Sequence, residues 1–428
     1  MTTSRSRDPS RSSSPLPVGF VVQADRRTRV SDGGRVVDGG SPWRMLRLSE
    51  RGAEIVARLL AGAAVSDASE GVLARRLVEA GLAHPLPRTS SSPSLSVVVP
   101  VRDRADELDE CLSRLAPLSV VVVDDGSREA TPVADVAARH GARVVRRDTS
   151  GGPAAARNTG LSRADSDVVA FVDSDCRAAA SSLRALARHL ADPAVAAAAP
   201  RVLPAGGQRP GAQESPSSGG PLDMGAQPAT VVPTGRVSYV PSAALVVRRE
   251  AIEDVGGFDE SLRYGEDVDL CWRLHRAGWS IRYDPRVAVR HLEPEAWTAW
   301  LARRFHYGTS AGPLARRHPG TLRGPSLRGL VAPFTLLRAS RDGAAVPVDV
   351  LRRVVATAPA ATAAGLLRWA TPVWCPPAAA LRTPPRQALA RIADEAAYGA
   401  GVWWGCVRAG TLEPVLPAVN ARPTTSSP

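Results

Sequence analysis

The sequence predicts an α/β protein whose main domain is a largely parallel sheet covered by helices on both faces. A small winged-helix-like unit precedes it and a helical segment follows. Three observations carry this expectation. From Leu95 onward, short β-branched runs alternate with helically spaced apolar residues; residues 17–87 have turns, short strands and two capped helices of their own; and beyond about residue 295 the chain becomes helical and tryptophan-rich. At 428 residues, with 44% hydrophobic and 22% charged residues, the chain is long enough to bury two or three cores.

Residues 1–16 lack the apolar core of a signal peptide and read as a disordered tail. In the front unit, GFVVQAD and GRVV are strands flanking the turn Ser31–Gly34. Two helices follow. Ser49 caps the first, which buries Ile55, Val56, Leu59 and Leu60 and ends at Gly62; Asp67 and Glu70 have capping-box spacing for the second, which ends near Gly81. RTSSSPS, residues 88–94, has linker composition.

The main domain spans residues 95–295. LSVVVPV is a continuous apolar strand; Leu108, Cys111, Leu112 and Leu115 recur at helical spacing; SVVVVDD, ARVVRR and DVVAFVDSD are further strands. This β-α-β alternation places ligands at the carboxyl ends of the strands. Residues 204–230, rich in Pro, Gly, Ser and Gln, read as a flexible insertion. Residues 296–415 form the helical region. Its apolar stretch at 346–374 is interrupted by Arg352, Arg353, Arg368 and prolines, so it offers no uninterrupted span of about 18 apolar residues. The helix at 388–407, with Trp403 and Trp404, either caps the main domain or lies along a membrane face. Residues 416–428 are a second tail.

The net charge is +12, yet every basic side chain is Arg and none is Lys, which points to a codon-biased genome. The charge is scattered, without a basic stripe interleaved with aromatics, so nucleic acid is not the expected partner. Phosphate-bearing small molecules suit the guanidinium fork. Cysteines 111, 176, 271, 375 and 406 form no CxxC pair and no disulfide framework, as in a reducing cytoplasm.

Five stretches carry candidate chemistry. VVVDDGS, residues 121–127, ends a buried strand in Asp124 and Asp125, acceptors suited to a base edge or ribose. A turn with a helix cap has the same appearance. GGPAAARNTG, residues 151–160, lets backbone approach a ligand and offers Arg157 to a diphosphate, with Asn158 beside it. It matches neither the Rossmann fingerprint nor a P-loop, and an ordinary loop-to-helix junction is the other reading. In FVDSDC, residues 171–176, extended alternation points Asp173 and Asp175 to one side, an arrangement for a hard divalent cation, Mn2+ or Mg2+, and a nucleotide's oxygens; a solvated strand-end pair is the other reading. In GGFDESLRYGEDVDLCWRLHRAGW, residues 256–279, Glu266 opens a helix that buries Leu270, Cys271 and Leu274, so that Asp267 faces inward as a cap or a general base. RVAVRHLEP, residues 286–294, ends a strand in His291, a structural histidine or a nitrogen ligand.

In this order the five stretches resemble the family-2 glycosyltransferases of GT-A fold, nucleotide-diphospho-sugar transferases with a Rossmann-like sheet. The resemblance implies a UDP-sugar donor. Pro100 of the opening strand, Asp124, Asp125, Arg157, Asn158 and Asp173 would line its site, with Asp125 on the uracil-type base; Asp173, Asp175 and His291 would be the metal set. Asp267 would be the general base, next to Glu266. The Q-x-x-R-W motif of processive polysaccharide synthases is missing; the corresponding region reads ARRFHYGTSAGPLARRHPG, residues 302–320. That stretch, with LPVGFVVQADRRTRV and DGGSPWRMLRLSERG, is similar to the mycofactocin-system glycosyltransferases of actinobacteria, and the front unit to PqqD-like peptide-recognition domains. These imply UDP-glucose as donor, a peptide-derived premycofactocin acceptor, a short β-linked glucan as product, and a cytoplasmic protein with peripheral contact at the inner membrane face as a further expectation. Trp43, Arg44, Asp259, Trp272, Arg304 and Tyr307 are the acceptor-side candidates, although Trp43 serves equally as a staple for the hairpin. A family-2 enzyme acting on a cell-wall glycan or lipid, and a non-catalytic nucleotide- and peptide-binding protein, are the alternatives.

Overall fold

The computed structural model describes residues 14–87, 93–205, 220–233, 235–294, 296–322 and 385–415. Most of both tails, most of the linker, the middle of the insertion and the apolar stretch at 346–374 lie outside the described residues. The chain divides into two compact units at Glu293, and every described strand belongs to the first.

The front of the first unit contains β1 (Val21–Ala24), β2 (Arg29–Ser31), β3 (Val36–Gly39), β4 (Arg44–Arg47), α1 (Glu50–Leu60), α2 (Ala68–Glu79) and β5 (Ala83–Leu86). GFVVQAD and GRVV both contribute strands, but these do not pair with each other. Instead β3 lies between β2 and β4, and β1 pairs antiparallel with β5, Val21 opposite Leu86. The reason is β2: with one valine between two polar residues it has no apolar alternation to reveal it. Ser49 Oγ accepts from Gly52 N at 3.2 Å and caps α1. Asp67 caps α2 by accepting from Glu70 N at 2.9 Å, but the Glu70 carboxylate reaches back to Ser66, accepting from its N at 2.9 Å and its Oγ at 2.7 Å. Phe20, Val22, Val37, Val56, Leu59, Leu77, Val78 and Leu82 close a core around these elements.

The larger sheet has nine strands: β6 (Leu95–Val101), β7 (Ser119–Asp124), β8 (Arg143–Arg146), β9 (Val168–Val172), β10 (Cys176–Arg177), β11 (Val195–Pro204), β12 (Ala229–Thr230), β13 (Ala244–Arg248) and β14 (Ser280–His291). Their order is β10-β14-β11-β13-β9-β6-β7-β8, with β12 beside β14. β6 runs parallel to both β7 and β9, and β7 parallel to β8, whereas β13 enters antiparallel to β9 and β11. The chain therefore leaves β6 in one direction and returns on its other side at β9. Such a reversal opens a crevice at the carboxyl ends of the two strands. The helices α3 (Ala105–Ser113), α4 (Thr131–Arg139), α5 (Gly152–Arg163), α6 (Ala180–Ala187), α7 (Arg249–Asp254) and α8 (Glu266–Arg276) belong to this domain. The result is an α/β domain built on one mixed sheet.

Part of the expected flexible insertion is anchored. Arg201 donates to both Asp223 oxygens, at 2.8 and 2.7 Å, the Tyr283 hydroxyl donates to Gly225 O at 2.6 Å, and β12 pairs with β14. Compositional reading takes such a segment for a loop because these attachments are polar and single.

The front domain is locked onto the sheet through a buried polar seam. Arg75, 2% exposed, donates to Asp192 Oδ1 at 2.6 Å; Glu79 accepts from Ser280 Oγ at 2.8 Å and Arg282 Nη2 at 3.3 Å; Thr230 Oγ1 donates to Val78 O at 3.3 Å.

The second unit contains α9 (Trp297–Thr309), α10 (Ala311–Arg317) and α11 (Pro385–Ala409). Gly308 and Gly312 meet the backbone of α11, and Gly401 and Gly405 meet that of α9, so the helices touch where no side chain intervenes. Trp300 Nε1 donates to Asp394 Oδ1 at 2.6 Å. Among the described residues no helix is long and apolar enough to cross a membrane.

Candidate active site

The carboxyl ends of β6, β7 and β9 bring three of the five sequence motifs together. At the end of β7, Asp124 and Asp125 are both buried. Asp124 accepts from Ser127 N at 2.9 Å and pairs with Arg146, which fixes the turn. Asp125 reaches across to the loop before α5: it accepts from Ser150 Oγ (2.7 Å), Gly151 N (3.0 Å) and Gly152 N (2.8 Å), and Arg147 Nε lies 2.8 Å from Oδ1. Burial alone would raise this carboxyl; the bonds from Gly151, Ser150 and Gly152 and the Arg147 charge outweigh it and hold Asp125 below the usual range. Gly152 adopts φ +86° there, which suits a residue without Cβ. Pro100, near the end of β6, is the one residue of that strand not fully buried.

Helix α5 carries Arg157 and Asn158 inward. Arg157, 2% exposed, donates to Asp173 Oδ1 at 2.7 Å and Glu266 Oε1 at 2.9 Å, and stacks over the Phe258 ring at 5.5 Å. The diphosphate contact expected of Arg157 therefore gives way to a bridge: its guanidinium ties the DSD turn to the start of α8. Asn158 clamps the GGFDE turn by donating to Phe258 O and Glu260 Oε1 and accepting from Phe258 N, each at 2.9 Å. Gly257, at φ +75°, makes room, since a Cβ there would come within 2.8 Å of Asn158 Oδ1.

The DSD turn ends in β10, whose Cys176 lies opposite His291 of β14. That register brings His291 Nε2 to 3.4 Å from Asp175 Oδ1. One ligand atom each from Asp175, Cys176 and His291 lies within 4.8 Å of the others. Burial and the nearby aspartates push the Cys176 thiol well above its ordinary value, leaving carboxylate and imidazole as the donors, a set that fits Mn2+ or Mg2+. Burial would lower His291, but its bond to Glu293 and the charges of Asp175 and Glu293 raise it overall.

At the N-terminus of α8, Gly265 turns the chain at φ +81° and delivers Glu266 to Arg157. Asp267 follows, half-buried. Burial and then the adjacent Glu266 charge push its carboxyl up to about 7, against the opposing bonds from Val268 and Ser242 N–H and the charge of Arg157. A carboxylate poised near neutrality in a crevice is suited to proton abstraction.

Among the acceptor candidates, Trp272 is corrected: it is 4% exposed and its indole N–H donates to Ser238 O at 2.8 Å, so it packs α8 and does not face a ligand. Asp259 accepts from Ser261 N at 2.9 Å and shapes the turn. Trp43 is 40% exposed before β4, with Arg44 exposed beside it. In the second unit, Arg304 pairs with Asp394 at 2.9 Å and lies over the Tyr398 ring, so its charge is taken up within the helical pair; Tyr307 is half-buried on α9. Sequence reading passed over Ser242, Glu293 and Arg104. Ser242, just before β13, meets Asp267 through its backbone N–H, and Glu293, just after β14, meets His291; the first of these contacts joins segments that no local spacing connects.

Residues 96–256 match the family model described as Glycosyl transferase family 2. They are a family-2 glycosyltransferase domain. The chain is 46% identical over 311 residues to the "Pre-mycofactocin glycosyltransferase" of Mycobacterium tuberculosis, a match covering 71% of this chain and 65% of that protein. The chain thus spans slightly less than two thirds of that relative's length. "Glycosyltransferase AglE" of Haloferax volcanii is 29% identical over 218 residues, 47% of this chain and 68% of that one. Among solved structures, the mannosyltransferase PcManGT from Pyrobaculum calidifontis is 20% identical with a TM-score of 0.45, covering 74% of this chain and 88% of that chain. The family-2 domain contains Asp124, Asp125, Arg157, Asn158, Asp173 and Asp175; Glu266, Asp267 and His291 come from the chain just after it.

Proposed function

We propose that the protein is an inverting, metal-dependent hexosyltransferase that moves glucose from UDP-glucose to a peptide-derived acceptor of mycofactocin biosynthesis, building a short β-linked glucan. The observation that carries the chemistry is the Asp173–Arg157–Glu266 bridge. It brings the DSD turn and the start of α8 to one crevice, with Asp267 next to the bridge. The 46% identity to the M. tuberculosis relative supports the pathway.

In this reading Asp173 and Asp125 bind the nucleoside, and Asp175 with His291 holds the cation. A divalent cation bound there supplies charge neutralisation for the departing diphosphate. Asp267, ionised above neutral pH, takes the proton of the acceptor hydroxyl as that oxygen attacks the anomeric carbon opposite the leaving group. Single displacement inverts the configuration, so an α-linked donor yields a β-glycoside. Arg157 holds Glu266 and Asp173 in place. Trp43 and Arg44 on the front domain are offered to the peptide portion of the acceptor.

The test is mass spectrometry of candidate peptide acceptors incubated with the full chain, UDP-glucose and Mn2+. Successive hexose additions are expected, and they should disappear in Asp267→Asn while UDP binding persists. A parallel arm with lipid extract addresses the alternative raised by the exposed Trp403 and Trp404 of α11. Hexose on lipid and none on peptide would reverse the acceptor assignment.

A further inference from the structure

The loop after β6 contains a cation that none of the motifs announces. Arg104 Nη1 donates to Asp175 Oδ2 at 2.6 Å, while the other oxygen of Asp175 faces His291. The aim of this arginine is fixed by the backbone in front of it. Asp103 sits at φ +55°, a conformation that non-glycine residues rarely adopt and that persists only where neighbours enforce it. The enforcement is visible: Asp103 N donates to Ser127 Oγ at 3.0 Å, and Asp103 Oδ1 accepts from Arg128 N at 2.7 Å. Ser127 N in turn donates to Asp124. The loop is thus riveted to the DDGS turn, and its last residue is delivered to the carboxylate best placed to hold a cation.

The two partners differ in freedom. Asp175 is nearly enclosed, with a side chain 10% exposed, whereas the Arg104 side chain is 44% exposed. An enclosed carboxylate requires a counter-charge, and the arginine that supplies it here can swing out without leaving a buried hole. A divalent cation coordinated by Asp175 would repel a guanidinium held against the same oxygen. We propose that Arg104 is the resident counter-ion of Asp175, that a divalent cation displaces it, and that the freed guanidinium then pairs with the donor diphosphate. Its planar fork matches phosphate oxygens, and its short loop keeps it at the crevice mouth. This rests on the cation site proposed above.

The experiment uses the full chain in native, Arg104→Gln, Arg104→Lys and Asp175→Asn forms. Free Mn2+ is followed by electron paramagnetic resonance without nucleotide, and UDP and uridine affinities are then compared with Mn2+ present. Arg104→Gln is expected to bind Mn2+ about tenfold more tightly than the native chain. It should also lose most of the preference for UDP over uridine, and Arg104→Lys should restore part of it. Unchanged Mn2+ affinity in Arg104→Gln overturns the counter-ion role while leaving the cation site standing, and an unchanged UDP preference overturns the diphosphate contact. Mn2+ binding that is indifferent to Asp175→Asn, or absent from the native chain, removes the cation site and this proposal with it.

Discussion

At Asp267, burial and Glu266 push the carboxyl up to about 7, so transfer should fall as pH drops through that value and the base becomes protonated. A pH profile of kcat/KM measures this limb. At pH 8, Asp267→Asn should lower turnover by about 10²–10⁴-fold. Stability has the opposite sign. The folded value lies above the unfolded one near 3.8, so the contribution of the neutral carboxyl is complete below that pH and is lost as pH rises through 7. Thermal melts should therefore show Asp267→Asn more stable than the native chain at pH 8, with no advantage near pH 3. Arg157 tests the other side of the crevice. Arg157→Met would leave Asp173 and Glu266 without their shared cation and should cost about 3–5 kcal/mol in denaturant unfolding. That Asp267 belongs to the start of a helix and that the DSD pair follows a strand was legible in the sequence, but the direction of the pair was not. The chain turns at Ser174–Asp175, with Cys176 N donating to Asp173 O at 2.9 Å, so the alternation of an extended strand does not apply there. Arg157 was found but its duty was not, since a guanidinium serves carboxylate and phosphate equally well.

At the scale of the element, α5 shows how closely the crevice depends on its packing. Gly160 lies against Val98 of β6 and Val123 of β7, and a Cβ there would collide with the Val98 methyl. Gly160→Ala should destabilise the fold by about 1–3 kcal/mol and weaken UDP binding, because the same helix carries Arg157 and Asn158. Calorimetry and nucleotide titration on one preparation measure both effects. The parallel strands were readable because burial on both faces leaves continuous apolar runs, as in SVVVV. β2 and β12, two or three residues long and partly polar, exist through their partners and were not readable. The same distinction explains His291: the sequence shows a strand ending in histidine, but only the register with Cys176 shows that it meets Asp175.

For the first unit as a whole, the front domain was legible as a separate pattern of caps and turns, but its attachment was not. Arg75, Asp192 and Glu79 look like ordinary surface charges on their own helices and turns. Arg75→Met should leave the enclosed Asp192 without its ion-pair partner and with only the Ala194 N–H on Oδ1, lowering unfolding free energy by about 3–5 kcal/mol. The double variant Arg75→Met with Asp192→Asn should recover part of that loss, and chemical denaturation of the four proteins in the cycle gives the coupling. The seam also bears on transplantation. A chimera that exchanged the first 87 residues for a foreign domain would take from Asp192 and Arg282 their guanidinium and carboxylate partners, so any graft must carry its own Arg75 and Glu79.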